Sequence, residues 1–368
     1  MRTYFFPISA AFLTFMLIAS LCALPYAIVS YRRNGAVSAW KTAVVFSFAL
    51  YLLTAYFLTV LPLPDPAEVA AYTSERYDLT PFHFISGIAE SGFDITRPAT
   101  YAPFLKSGYF LEPLFNFLLL APFGIFLGYF KQSARRILLL SFLCSLFFEL
   151  TQLSALFGIY PRPYRLFSTD DLILNTSGGA AGYFIFSGFL RFLPKMERVD
   201  RRSAERGAKV GYIRRFVAYI VDYNIVRLLQ GALTGYLGLA PAPAFVLALF
   251  GYTIALAAPT GGRTVGKLLV LIKIGRDGGS APPGSVAARF ALRNAAVAAA
   301  YAANYRVRIA DETQWVFLSA FLAVCALTAI DMLYAFRKKD RRLWYERLTR
   351  TESVSTFRQK NNRRRQSG

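Results

Sequence analysis

The sequence predicts an all-α fold: a polytopic transmembrane helical bundle of about nine spans, with a small β-hairpin-like cytoplasmic segment near residues 264–280. Three observations predict it. Hydrophobic residues make up 55% of the 368-residue chain, above the ~45–50% of ordinary soluble proteins, and charged residues only 17% against a usual ~25%. The apolar residues gather in runs of about 20, the length a helix needs to cross ~30 Å of hydrocarbon at ~1.5 Å per residue. The runs lack the period-2 alternation of a barrel strand, and most charges lie between them.

In order, the first span runs from about Ile8 to Tyr31 and stops at Arg32-Arg33. It is too long for a signal-peptide core and no small-x-small site follows, so it reads as an anchor. The second, about Thr42 to Leu61, is closed by Pro62-Leu63-Pro64. A polar stretch with aromatics and turn residues follows, from Asp65 to about Glu112. Spans three to five are about Leu114 to Phe130, Ile137 to Phe157 and Asp171 to Leu193. Between Lys195 and Arg215 lie eight basic and three acidic residues, the clearest boundary in the chain. Spans six and seven cover about Phe216 to Leu239 and Ala244 to Pro259. Lys267 to Ile274, β-branched and followed by Asp277-Gly278-Gly279, reads as a strand and turn. About Ala287 to Tyr305 is the weakest span, and Trp315 to Phe336 the last. The domains predicted are 1–193 (five spans), a basic cytoplasmic linker over 194–208, a second membrane domain over 209–354, and a disordered basic tail over 355–368.

Charge then sets orientation. The chain carries 42 basic and 21 acidic residues, net +21, with a mean hydropathy of +0.39. With the N-terminus outside and the C-terminus cytoplasmic, the basic segments all fall inside, while the large outer loop 63–112 holds three basic and seven acidic residues. This is the positive-inside pattern of a multi-pass cell-membrane protein. Basic charge laid out by topology argues against nucleic acid as a partner. It points instead to anionic lipid headgroups at the cytoplasmic face, and Arg363-Arg364-Arg365 are read the same way. A single histidine argues against His-based catalysis and His-rich metal sites, and three cysteines inside apolar runs give no disulfide framework or zinc motif. No metal or cofactor is expected. Gly261 to Leu268 is not read as a phosphate loop, because Leu268 stands where Ser or Thr should follow the lysine.

Spans three to five carry polar residues that a bilayer normally excludes: Asn116 in span three, Glu149 and Gln152 at i, i+3 in span four, Asp171 and Asn175 at i, i+4 in span five, Asp170 at its start, and Arg165 in the preceding loop. Glu149 lies ~12 Å below the outer end of its helix by the ~1.5 Å rise. An ionisable group at such depth marks either an outward-facing site or helices stapled by buried hydrogen bonds. Gly178, Gly179 and Gly182 are assigned to close packing. His83, in the outer loop, lies within reach of this cluster.

Asn116 with Pro122-Phe123-Gly124, Glu149-Leu150-Thr151-Gln152, Arg165, Asp170-Asp171 and Asn175-Thr176-Ser177-Gly178 resemble, in order and spacing, the motif of the VanZ-like family of bacterial membrane proteins. The resemblance covers about residues 40–193. It implies a multi-span envelope protein, the family being named for a member linked to low-level glycopeptide (teicoplanin) resistance, and it brings no settled reaction.

The C-terminal half holds Arg215 and Asp222, seven apart and so on nearly one helix face, with Arg289, Arg293 and Asp331. Asp222 and Asp331 are expected at matched depth near the cytoplasmic side, as a cation or proton site or a structural cluster, and Arg227 is expected to pair with one of them. Arg215-Phe216-Val217-Ala218, Asp222, Thr264-Val265-Gly266-Lys267, Arg289 and Asp331 resemble an RDD domain over about 209–354. The closing motif departs from that family, with Tyr345-Glu346 where many members have His-Asp. This resemblance implies cation/proton transport for some relatives and no activity for most. The functions expected are therefore a non-enzymatic envelope protein meeting a glycopeptide or lipid-linked ligand, a transporter using the second carboxylate set, or a membrane enzyme with Glu149 or Asp171 as acid or base. The oligomeric state is left open.

Overall fold

The computed structural model describes residues 2–73, 75–308 and 342–357, together with Ser319, Leu322, Ala326, Ile330 and Asp331. Most of the span expected over 315–336, and the tail from residue 358, lie outside the described residues. The chain divides into two compact units: residues 1–22 with 39–199, and residues 23–38 with 200–368. Helix α1 (Arg2–Asn34) contributes to both, and the second division falls within α10 (Met196–Gly207).

Among the described residues, four helices are long and apolar enough to cross a membrane: α1, α2 (Ala39–Val60), α6 (Gly108–Tyr129) and α7 (Ala134–Leu153). The nine spans expected from sequence are not reached by that measure. α9 (Thr169–Leu190), α11 (Tyr212–Leu237) and α14 (Pro283–Arg308) are long but carry no equally apolar stretch. α12 (Pro241–Phe250) is short and continues as a π-helical turn through Leu256.

In the first unit, α2 ends at Val60, before Leu61-Pro62, because proline disfavours a helical residue ahead of it. Its neighbour α6 contains Pro113 and Pro122. Proline frees a backbone carbonyl within a helix, and in lipid such groups are satisfied by neighbouring helices. One residue on from Leu118, whose carbonyl Pro122 frees, the Tyr51 hydroxyl of α2 donates to the Leu119 carbonyl at 2.6 Å. The tightest packing is α6 against α9. A Cβ on Gly178 would run into the Phe117 carbonyl, and one on Gly182 into the Ala121 carbonyl. These glycines, four apart, let the two backbones touch.

The segments joining α2 to α6 gather at one end of this unit. They comprise α3 (Pro66–Ala70), β1 (Tyr77–Asp78), α4 (His83–Glu90) and α5 (Tyr101–Leu105). After α7, the single turn α8 (Ala155–Gly158) holds Ala155, Leu156 and Phe157 at positive φ. It packs with Val60, Val69 and Tyr160, and the Tyr160 hydroxyl donates to the Pro64 carbonyl at 2.8 Å. β2 (Phe167–Ser168) then pairs in parallel with β1, Tyr77 opposite Phe167.

In the second unit, α13 (Val265–Leu269) precedes β3 (Ile272–Arg276), so the strand expected over Lys267–Ile274 begins only at Ile272. The Thr264 side chain caps α13, which is why the β-branched run starts as a helix. β3 pairs antiparallel with β4 (Gly279–Ser280) across Asp277-Gly278, both at positive φ, as a tight primed turn requires. On its other side β3 pairs with β5 (Glu352–Ser355), with Ile272 opposite Ser355 and Ile274 opposite Ser353. α15 (Trp344–Leu348) leads into β5. Tyr31, Val210, Val217, Ala218, Val270 and Ile272 form the core beneath the sheet.

Candidate functional site

α7 presents Ser141, Ser145 and Glu149, four residues apart, as one buried polar stripe. α9 faces it with Asp171 and Asn175. The Asn116 Nδ2 of α6 donates to Asp171 Oδ1 at 2.5 Å, and Asn175 Nδ2 donates to Ser145 Oγ at 3.0 Å. Ser145 Oγ in turn donates to the Asp171 carbonyl at 3.4 Å. Glu149, 2% exposed, accepts the Ser168 backbone N–H at 3.0 Å, which ties it to the residue that caps α9. Three helices thus bring Asn116, Glu149, Asp171 and Asn175 together.

The other three residues of the predicted cluster have different partners. Gln152 turns to α2 and donates to the Thr59 carbonyl at 2.9 Å, a link between helices. Asp170 accepts the backbone N–H groups of Phe82 at 2.6 Å and Phe84 at 2.7 Å, so it caps α4. Arg165 is exposed and donates to the Leu61 carbonyl at 3.1 Å, while interacting electrostatically with Glu149 and Asp171.

The centre of the cluster is rich in acceptors. Asn175 is 2% exposed, and its Oδ1 has no hydrogen-bond partner among the described residues; neither has the buried Ser141 Oγ. Orphaned buried polar atoms are uncommon and call for a missing donor. Two carboxylates and one free amide oxygen favour a partner that brings donors, such as an ammonium group, a hydroxyl or a water carrying a proton. No group of three or more His, Cys, Asp or Glu among the described residues is arranged to hold a metal.

His83 pairs with Asp78 rather than with this cluster, Nδ1 lying 2.5 Å from Asp78 Oδ2. That hydrogen bond raises the imidazole above its ordinary value and lowers the Asp78 carboxyl.

In the second unit Asp222 and Asp331 have different partners. Asp222 accepts from the Tyr252 hydroxyl at 2.8 Å, the Gly266 N–H at 2.8 Å and the Thr264 hydroxyl at 2.6 Å, all at the start of α13 or beside it. Asp331 accepts the Trp344 N–H at 2.6 Å and pairs with Arg347. Arg227 likewise turns from both aspartates to Gln230 Oε1 at 2.5 Å and the Tyr301 hydroxyl at 3.3 Å.

Arg215 and Arg289 converge instead on Glu346, which is fully buried. Arg215 lies 2.7 Å from one of its oxygens and Arg289 2.5 Å from the other, and the Leu343 N–H and Ser353 hydroxyl complete the cluster. Glu346 stands where the RDD-like pattern departs, and its neighbours Trp344 and Tyr345 were the available signal that this carboxylate is not on a solvated tail. Lys267, also missed, is buried with its Nζ 4.3 Å from the Phe290 ring centroid and 3.2 Å from the Gly262 carbonyl. Burial first, then the nearby Arg289 and Arg293, hold its amine well below the usual lysine range.

Residues 48–191 match the VanZ/LLP1 family model, a stretch that contains the last part of α2 and all seven residues of the first cluster. Neither the curated proteins nor the solved structures include a match to the chain.

Proposed function

We propose that the chain is a multi-pass membrane protein of the cell envelope whose VanZ-like unit binds a glycopeptide or a lipid-linked wall component from the outer side. The observation that carries this reading is the acceptor-rich cluster of Glu149, Asp171 and the orphaned Asn175 Oδ1 beside Asn116. A bilayer-embedded carboxylate is costly, and in a purely structural staple every acceptor would meet a donor. The proposal includes the topology read from charge: N-terminus outside, C-terminus cytoplasmic, and nine spans, with α9, α11, α12 with its π-helical turn, α14 and the segment 315–336 added to the four apolar helices. The polar cluster then lies toward the outside.

A transport reading built on the RDD-like carboxylates has less support. Asp222 already accepts from three protein donors, and Asp331 is held by a cation and an N–H, so both carboxylates are engaged by the protein itself. A reaction at Glu149 or Asp171 is not needed by the binding reading.

Complementation of a deletion strain tests it. Glu149→Gln and Asp171→Asn are expected to express and insert as the parent does, but to lose the parent's effect on teicoplanin susceptibility. If both restore the parental phenotype in full, the reading is wrong.

A further inference from the structure

A cleft of about 340 Å³ opens between α4 and the start of α6 in the first unit, outside the buried cluster. Phe84 and Tyr109 supply aromatic surface, and Glu112 is the one charged residue among its described lining residues. Gly87 lets the Tyr109 ring rest against α4, since a Cβ there would come within 3.1 Å of the ring. Phe84 is fixed from below, because its own N–H is one of the two that Asp170 accepts. The first turn of α6 already has a carboxylate against it: Glu112 Oε1 lies 3.4 Å from where a Gly108 Cβ would stand. The positive end of that helix therefore does not call for an outside anion.

We infer that this cleft binds an alkylammonium group, held by the faces of Phe84 and Tyr109 and by the Glu112 carboxylate. Aromatic faces attract cations through the ring quadrupole, and a carboxylate completes the charge. The surrounding loop agrees in sign, since residues 63–112 carry seven acidic and three basic side chains. The cleft also connects to the deeper site. Glu112 and Asn116 are four apart on α6, Asn116 donates to Asp171, and Glu112 and Asp171 interact electrostatically. The inference deepens the binding reading, and rests on it, by naming the ligand's chemistry at the mouth: an amine of a headgroup or of a soluble envelope ligand.

Saturation-transfer NMR on the full chain in maltoside micelles tests it, with tetramethylammonium as the probe and tert-butanol as the neutral shape control. Transfer is expected to the ammonium methyls and not to tert-butanol. Glu112→Gln and Tyr109→Ala are each expected to weaken the apparent affinity about fivefold or more, and Glu112→Asp to retain most of it. Equal transfer to both probes, or parental affinity in Glu112→Gln, overturns the inference. The susceptibility phenotype of Glu149→Gln and Asp171→Asn reads the deeper site, and tetramethylammonium transfer in Glu112→Gln reads the cleft. An unaltered susceptibility phenotype in those two variants therefore defeats the deeper-site reading, whereas loss of the Glu112 effect defeats only the cleft.

Discussion

Arg289 places its guanidinium 2.5 Å from the Glu346 carboxylate, inside the second unit, where Glu346 has no solvent exposure. The opposite oxygen of the same carboxylate meets Arg215. One acid is therefore shared by two arginines that arrive from α11 and α14.

Glu346→Gln leaves both guanidinium groups short of countercharge. Breaking a buried pair by removing one partner costs about 3–5 kcal/mol. Thermal unfolding of the purified chain should show a clear drop in Tm, smaller for Glu346→Asp. An unchanged Tm would mean that the arginines find other acceptors.

Gly182→Ala and Gly178→Ala force a methyl group into the backbone of α6. Overpacking of this kind costs about 1–3 kcal/mol, and here it must separate two helices. Gly188→Ala on the same helix meets nothing within 4 Å and serves as the control. Denaturation midpoints of the three variants check the ordering.

Asp170→Ala removes the acceptor of the Phe82 and Phe84 amides. Hydrogen exchange over residues 82–90 should accelerate, while amides in the middle of α7 keep their protection. Uniform acceleration would show that Asp170 supports the whole unit and not only α4.

The pair of His83 and Asp78 sets a pH window. The imidazole is raised above 6.5, so its contribution is complete below that value and is lost as pH rises through the folded pKa. The carboxyl is lowered from 3.8, so its contribution is present above that value and is lost as pH falls through the folded pKa. Both contributions are full between about pH 4 and 6.5. Because His83 is the sole histidine, one imidazole NMR titration reads the effect, and Asp78→Asn should bring its pKa back toward 6.5.

What the sequence made legible follows from how each signal arises. Asn116, Glu149, Asp171 and Asn175 stood out because polar residues interrupt apolar runs at helical spacing, and spacing determines which face they share. Gln152 has the same signature, yet it turns to α2: periodicity gives a direction on one helix and does not name the neighbour. Asp222 and Asp331 find separate partners for a related reason, since height along a helix says nothing about its rotation. Glu346 was hidden differently. It sits in a basic stretch with no helical spacing to either arginine, and its partners come from α11 and α14, far away in sequence. The four most apolar helices are legible from hydropathy alone, while α9, α11 and α14 carry polar residues that dilute the same signal.

The buried stripe of Ser141, Ser145 and Glu149 also has a consequence for how the protein is made. α7 leaves the ribosome before Ser168, Asp171 and Asn175 exist, so its carboxylate enters the insertion machinery without the N–H that later satisfies it. An acid in a spanning helix disfavours insertion, by up to about 2.5–3.5 kcal/mol at the helix centre and by less at Glu149, four residues from the end of α7. On the proposed topology, α7 should therefore linger beside the translocon until α9 emerges. Truncated nascent chains ending before residue 168 should crosslink to the translocon for longer than chains that reach the end of α9.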